Sequence, residues 1–283
     1  MLQAALLVVI LAQALGGATP IEEAEKLYQR TEYQASLKLL SALPEKTAAA
    51  YLLMGKNYYM AGEFKKATEV LEKAVELEPK RSDYYHWLGR AYGRRAETSS
   101  FFTAPGYASR ARQNLEKAVE LDPRNKDATY DLFEYYLQAP GFLGGGLEKA
   151  QRLMARLKEI DEVEYYYAQA QLAESRKEFQ RAEQQLRRAA ELAPRQAGRV
   201  LDLARFLAQQ GRVQESEAVL KQAEKIDPNE PRILFERANA YIRSKKNIEE
   251  ARELLKKYIA SPLTPEHPSR REAEQLLRQT YGG

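Results

Sequence analysis

The chain contains no cysteine, which excludes a disulfide framework, thiolate catalysis and a lipid-modified N-terminal cysteine. Histidine is nearly as scarce: His86 and His267 are the only two, too few and too far apart for a metal site built on imidazole. Neither stands in a nucleophile motif, and no cofactor or metal is expected. Charge of one sign is also missing, since 44 basic residues against 40 acidic ones leave a net charge of +4. Bases mostly alternate with acids instead of forming a stripe, so nucleic acid is not an expected partner. The one local excess is Arg90, Arg94, Arg95, Arg110 and Arg112, with Glu97 the only acid in that span. Paired carboxylates such as Glu249-Glu250 have Lys or Arg three or four residues away, the pattern of solvated helix faces, and an enzyme is not expected.

Long apolar runs are absent after the first, Ala4 to Ala12, which has no charge before Glu22 and is followed by Gly16-Gly17-Ala18. This composition reads as a signal peptide over residues 1–18, with the mature protein periplasmic or secreted. The competing reading is an uncleaved anchor formed by residues 4–15, because the usual basic n-region is missing. Only in that case is membrane association expected.

What the chain does have is a phrase that returns about every thirty-four residues. Its clearest copy runs Tyr51-x-x-Met54-Gly55-x-x-Tyr58, then Ala67-x-x-x-Leu71-x-x-Ala74, and closes at Pro79. The next copies carry Tyr85, Leu88, Gly89, Tyr92, Ala111, Leu115, Ala118 and Pro123, then Ala182, Leu186, Ala189 and Pro194, then Leu203-Ala204, Leu220, Ala223 and Pro228. Three- and four-residue spacing puts these side chains on one face of a helix. Gly55, Gly89, Ala170, Ala204 and Ala238 share a slot in the first helix of each unit, and Ala67, Ala111, Ala150, Ala182 and Ala251 share one in the second. Small residues there let two helix axes approach closely, and the prolines end the second helices. One unit cannot bury its own apolar face, but a stack can. The phrase resembles the tetratricopeptide repeat family over nearly everything after residue 20.

The resemblance implies an all-α, right-handed α-solenoid of stacked helix-turn-helix repeats with a C-terminal capping helix. The spacing predicts a degenerate helical pair over 22–44, six repeats over 48–260 and a capping helix over 267–280. It also predicts two long inter-helix insertions, near 94–107 and 138–146. Both contain a related phrase, Ala104-Pro105-Gly106-Tyr107 and Ala139-Pro140-Gly141-Phe142. They are expected on one edge, gathering Phe101, Phe102, Tyr107, Phe142 and Leu143 either as a partner-binding surface or as loops that bury their own aromatics. The glycine run 141–146 lacks the Lys-Ser/Thr ending and the preceding strand of a phosphate cradle.

The family resemblance implies that another face of the first helices lines a concave groove. One row on that face is Leu52, His86, Tyr130, Tyr167, Leu201 and Phe235; the row four residues on is Lys56, Arg90, Glu134, Gln171, Arg205 and Asn239. An apolar row beside a polar one suits an extended or helical peptide with spaced anchors, unless the aromatics only pad the inner curve. Family members that capture a chaperone's acidic C-terminus carry Lys and Asn, then Asn, then Lys and Arg at positions matched here by Leu52 and Lys56, Trp87, and Asp127 and Asp131. That clamp is absent. The expectation is a non-catalytic scaffold or assembly factor of a bacterial-type cell envelope that binds a protein or peptide in its groove. The alternative is a small-ligand or lipid carrier using the aromatic row as a cavity floor.

Overall fold

The computed structural model describes residues 18–281, so residues 1–17 of the expected signal peptide, with its apolar run, lie outside the described residues. Every regular element among the described residues is helical, with no strand. The chain divides into two compact units, Met1–Ala128 and Thr129–Gly283. The first holds three helix pairs: α1 (Pro20–Gln29) with α2 (Tyr33–Ser41), α3 (Ala48–Met60) with α4 (Phe64–Leu77), and α5 (Ser82–Glu97) with α6 (Ala104–Leu121). The boundary falls in the first turn of α7 (Lys126–Gln138). The second unit continues with α8 (Leu147–Ile160), α9 (Glu162–Ser175) with α10 (Phe179–Leu192), and α11 (Ala197–Gln209) with α12 (Val213–Ile226). It ends with α13 (Arg232–Ser244), α14 (Ile248–Ala260) and the final α15 (Arg270–Gln279).

The small-residue slots set the spacing of each pair. Ala67, Ala150, Ala170, Ala182, Ala204, Ala238 and Ala251 are fully buried. A Cβ placed on Gly89 would lie 2.8 Å from Leu115 Cγ and 3.2 Å from the Ala111 carbonyl oxygen, so the α5–α6 contact has no room for a side chain. The turn inside a pair is equally regular. Gly62 and Gly211 take positive φ there, as glycine does without steric cost, and Thr31, Lys177 and Lys245 adopt the same left-handed conformation with a Cβ.

The first pair is less degenerate than its sequence suggests. Ala24 is fully buried in the small slot, and the Ser36 hydroxyl donates to its carbonyl at 2.8 Å. Ser216 makes the same bond to the Ala204 carbonyl at 2.7 Å, at the same twelve-residue separation. Thr19 opens α1 with a capping box, accepting from the Glu22 amide at 3.2 Å while the Glu22 carboxylate accepts from the Thr19 amide at 2.8 Å.

The insertion near 94–107 is not a long loop. Its extra residues lengthen the flanking helices, α5 to 16 residues and α6 to 18, against 13 and 14 in the preceding pair. Only the turn at 98–103 is left between them. The glycine run in the second unit is a conformational device. Gly144 is left-handed, a Cβ on Gly145 would fall 1.8 Å from the Ala139 carbonyl oxygen, and the amides of Gly144, Gly145 and Gly146 donate to Gly141, Pro140 and Tyr136. Those N–H groups are already spent, which removes the anion cradle.

The last helix closes the second unit. Ala273 is buried, with Leu276 and Leu277 packed beside Leu255 and Tyr258. Arg270 folds back to donate to the Ile259 and Ser261 carbonyls, both at 3.1 Å, at the end of α14.

Candidate functional site

In the second unit the first helices of successive pairs, α9, α11 and α13, share one polar face, and a ladder of charge crosses it. Asp202 on α11 is its centre: the guanidinium groups of Arg199, Arg205 and Arg232 approach its carboxylate at 3.1, 3.4 and 2.6 Å. Arg199 reaches α9 through Glu164, and Arg232 holds Glu236 on its own helix at 3.0 Å. The missing side chain at Gly198 leaves its carbonyl within 3.5 Å of Arg232. Arg205 also donates to the Tyr167 hydroxyl at 3.0 Å, and the Tyr167 ring stacks on Tyr130 with centroids 5.7 Å apart.

Burial and charge set the protonation states. Burial pushes the Tyr130 phenol well above its ordinary range and raises Tyr167 as well, so both stay neutral donors at physiological pH. Burial alone would lower Arg205, but Tyr167 and Asp202 beside it hold its guanidinium charged. The Glu236 carboxyl is raised by burial despite Arg232. Glu174 is raised by burial too, with Arg205 pulling in the other direction.

Two cavities flank Arg205. One, of about 310 Å³, is walled by Glu134, Tyr167, Gln171, Glu174, Asp202 and Gln209; the other, of about 590 Å³, by Arg199, Arg232, Phe235, Glu236, Asn239, Arg243 and the 266–272 segment. The imidazole of His267 fixes that segment. Its Nδ1 accepts from the Thr264 amide at 2.9 Å, so its Nε2 donates to the Glu230 carboxylate at 3.0 Å. This bond holds the Glu230 carboxyl below its ordinary range.

The expected groove residues are thus brought together in part. Glu134, Tyr167, Gln171, Arg205, Phe235 and Asn239 line these two cavities. Leu201 is 0% exposed and Phe235 4%, so both belong to the hydrophobic core rather than to an open floor. The open surface here is polar, not an apolar strip. Arg199, Asp202, Arg232 and Glu236 were not singled out by the two rows. Arg232 stands three positions before Phe235, as Glu164 stands before Tyr167, and Asp202 and Glu236 stand one position after Leu201 and Phe235; these neighbouring rows are the signal that finds most of the ladder.

In the first unit, Lys56 and Arg90 lie over the indole of Trp87, at 5.3 and 4.5 Å from its centroid, and Arg90 also lies 5.0 Å over Tyr59. His86 is buried beside them and Leu52 is half-buried. The insertion aromatics separate by direction. Tyr107 turns inward, stacked 6.1 Å from Tyr92 under Arg95, while Phe101, Phe102 and Phe142 are 86, 91 and 82% exposed. Leu143 is half-buried, its carbonyl accepting from the Tyr135 hydroxyl at 2.9 Å. The reading in which the insertions bury their own aromatics is corrected: a short turn at 98–103 and a single helical turn at 141–143 have too few residues to cover three phenyl rings. Among the described residues no cluster of metal-ligating side chains occurs, and no helix is long and apolar enough to cross a membrane.

Tetratricopeptide repeat models match residues 48–81, which is α3 and α4 with their flanks, and 173–234, which spans α10 to α12. Among solved structures, a tetratricopeptide repeat protein of Parabacteroides merdae superposes with a TM-score of 0.59 at 15% identity, covering 93% of this chain and 97% of that one. A thermophilic member from Thermus thermophilus gives 0.56 at 22% identity, over 66% of this chain and 97% of that one. The Cut9–Hcn1 assembly of the APC/C gives 0.51 at 16%, over 91% of this chain and 48% of that one. At these identities the likeness speaks to the fold. No curated protein matches the chain.

Proposed function

We propose that this chain, which is a tetratricopeptide repeat protein, is an exported, non-catalytic scaffold that holds a peptide segment of a partner protein on the polar face of its second unit. The repeat fold supports a protein-interaction role in general. The observation that carries it is the pair of cavities beside Arg205, walled by half-buried Gln171 and Asn239. A side-chain amide offers a donor and an acceptor together, the same pair that a peptide backbone presents. Arg205, its charge held by Asp202 and Tyr167, adds a fixed donor between them.

Affinity capture from envelope extract tests this. The wild-type chain is expected to retain a partner that Gln171→Ala with Asn239→Ala loses, both proteins keeping full helicity. Retention by the double variant would remove the second-unit face from consideration. A carrier role has one observation in its favour, since about 590 Å³ is the size of a small-ligand site. Its charged walls do not suit a lipid, and stabilisation by a polar metabolite in a thermal-shift screen would favour that reading instead.

A further inference from the structure

The turn at 98–103 in the first unit presents two phenylalanines that the fold does not use. Phe101 and Phe102 are 86 and 91% exposed and touch each other edge to face, centroids 5.9 Å apart. They stand on a short turn between two lengthened helices. Directly beside the turn lies a shallow depression of about 460 Å³, walled by Gly62 to Lys66 at the start of α4 and by Arg95, Thr98, Ser99, Thr103 and Tyr107. The turn and the start of α4 therefore share one edge.

That edge is cationic. Lys65, Lys66, Arg94 and Arg95 stand with three carboxylates, Glu63, Glu69 and Glu97, which leaves one base in excess. Lys66 pairs with Glu63 and Arg94 with Glu97, whereas Arg95 spends its guanidinium on the Thr68 hydroxyl and the Tyr107 ring, neither of them charged. Lys65, 75% exposed, pairs with Glu69 at 4.0 Å, at the outer limit of an ion pair. Flexible cations around exposed aromatic rings are the two components of an interfacial footprint. The rings enter the boundary between headgroups and acyl chains, and the cations stay at the level of the phosphates. A protein pocket for two adjacent rings must match their shape, whereas a fluid bilayer accepts them without a preformed cavity.

We propose that this edge of the first unit docks on an anionic phospholipid surface, with Phe101 and Phe102 inserted and Lys65, Lys66 and Arg95 over the headgroups. The contact is peripheral and reversible, since two side chains fall far short of a spanning helix.

The test puts the only tryptophan at the tip, by combining Trp87→Phe with Phe102→Trp in the full chain. With vesicles of phosphatidylcholine and phosphatidylglycerol, its emission is expected to move to shorter wavelength and to be quenched by acyl chains brominated near the headgroup. Phosphatidylcholine alone should leave it unmoved. Lys65→Gln with Lys66→Gln should weaken the response to anionic vesicles roughly tenfold, since each cation near the surface strengthens binding severalfold. Emission unmoved by anionic vesicles, with helicity intact, overturns the proposal, whether or not the chain sediments through another segment. A blue shift that appears without vesicles and rises with protein concentration overturns it too, by assigning the tip to a contact between proteins.

Discussion

Gly89 and Glu174 show how one residue constrains this molecule in opposite ways, the first by what it lacks and the second by what it carries. Gly89 is the point where α5 meets Leu115 and the Ala111 carbonyl. Gly89→Leu is expected to cost about 1–3 kcal/mol through overpacking. Gly106 is exposed in the first turn of α6 with open space around it, so Gly106→Ala should be neutral or slightly stabilising. Urea denaturation of both variants checks the pair, and equal losses would contradict the packing described. The Glu174 carboxyl is raised by burial, so ionising it costs the folded state. That cost is present above its folded-state pKa and fades as pH falls to the unfolded value near about 4. Glu174→Gln should therefore raise the Tm at neutral pH and leave it unchanged once the wild-type carboxyl is protonated in both states. An equal shift at both pH values would show that the gain has nothing to do with charge.

At the scale of the helix, the phrase was legible because its slots are a matter of volume. Alanine and glycine recur where axes touch, leucine where seams are filled, and proline where the chain must leave the helix. The helix pairs of the structure follow those marks, and the first pair, which looked degenerate, keeps Ala24 and Ser36 in working positions. Burial of Leu201 and Phe235 was not legible, because an apolar residue at a helix face reads the same whether it floors a groove or joins the core. The ladder through Asp202 was missed for a related reason. Charged residues on helices are usually solvated, and only the meeting of three helices takes these out of water. Asp202→Ala leaves three guanidinium groups without their shared acceptor and is expected to cost about 3–5 kcal/mol. Asp202→Asn, which keeps an acceptor, should cost less. A loss under about 1 kcal/mol for the alanine variant in urea would mean that the ladder is screened like a surface pair.

For the whole molecule, the reading is an exported interaction protein. The fold makes its first described helix contact at the Thr19 capping box, one residue past the expected cut. Mature protein isolated from its source is expected to have the mass of a chain beginning near Thr19, and a mass retaining Met1 in salt-resistant membranes would replace export by anchoring.

The central claim, that a partner lies along the polar face of the second unit, is tested most directly by site-specific photo-crosslinking in the native host. A crosslinking residue at Asn239, on the cavity wall, is compared with one at Lys221, exposed on the second helix of the preceding pair. The account predicts a discrete crosslinked partner from position 239 and none from 221. A partner captured at 221 but not at 239 would contradict it.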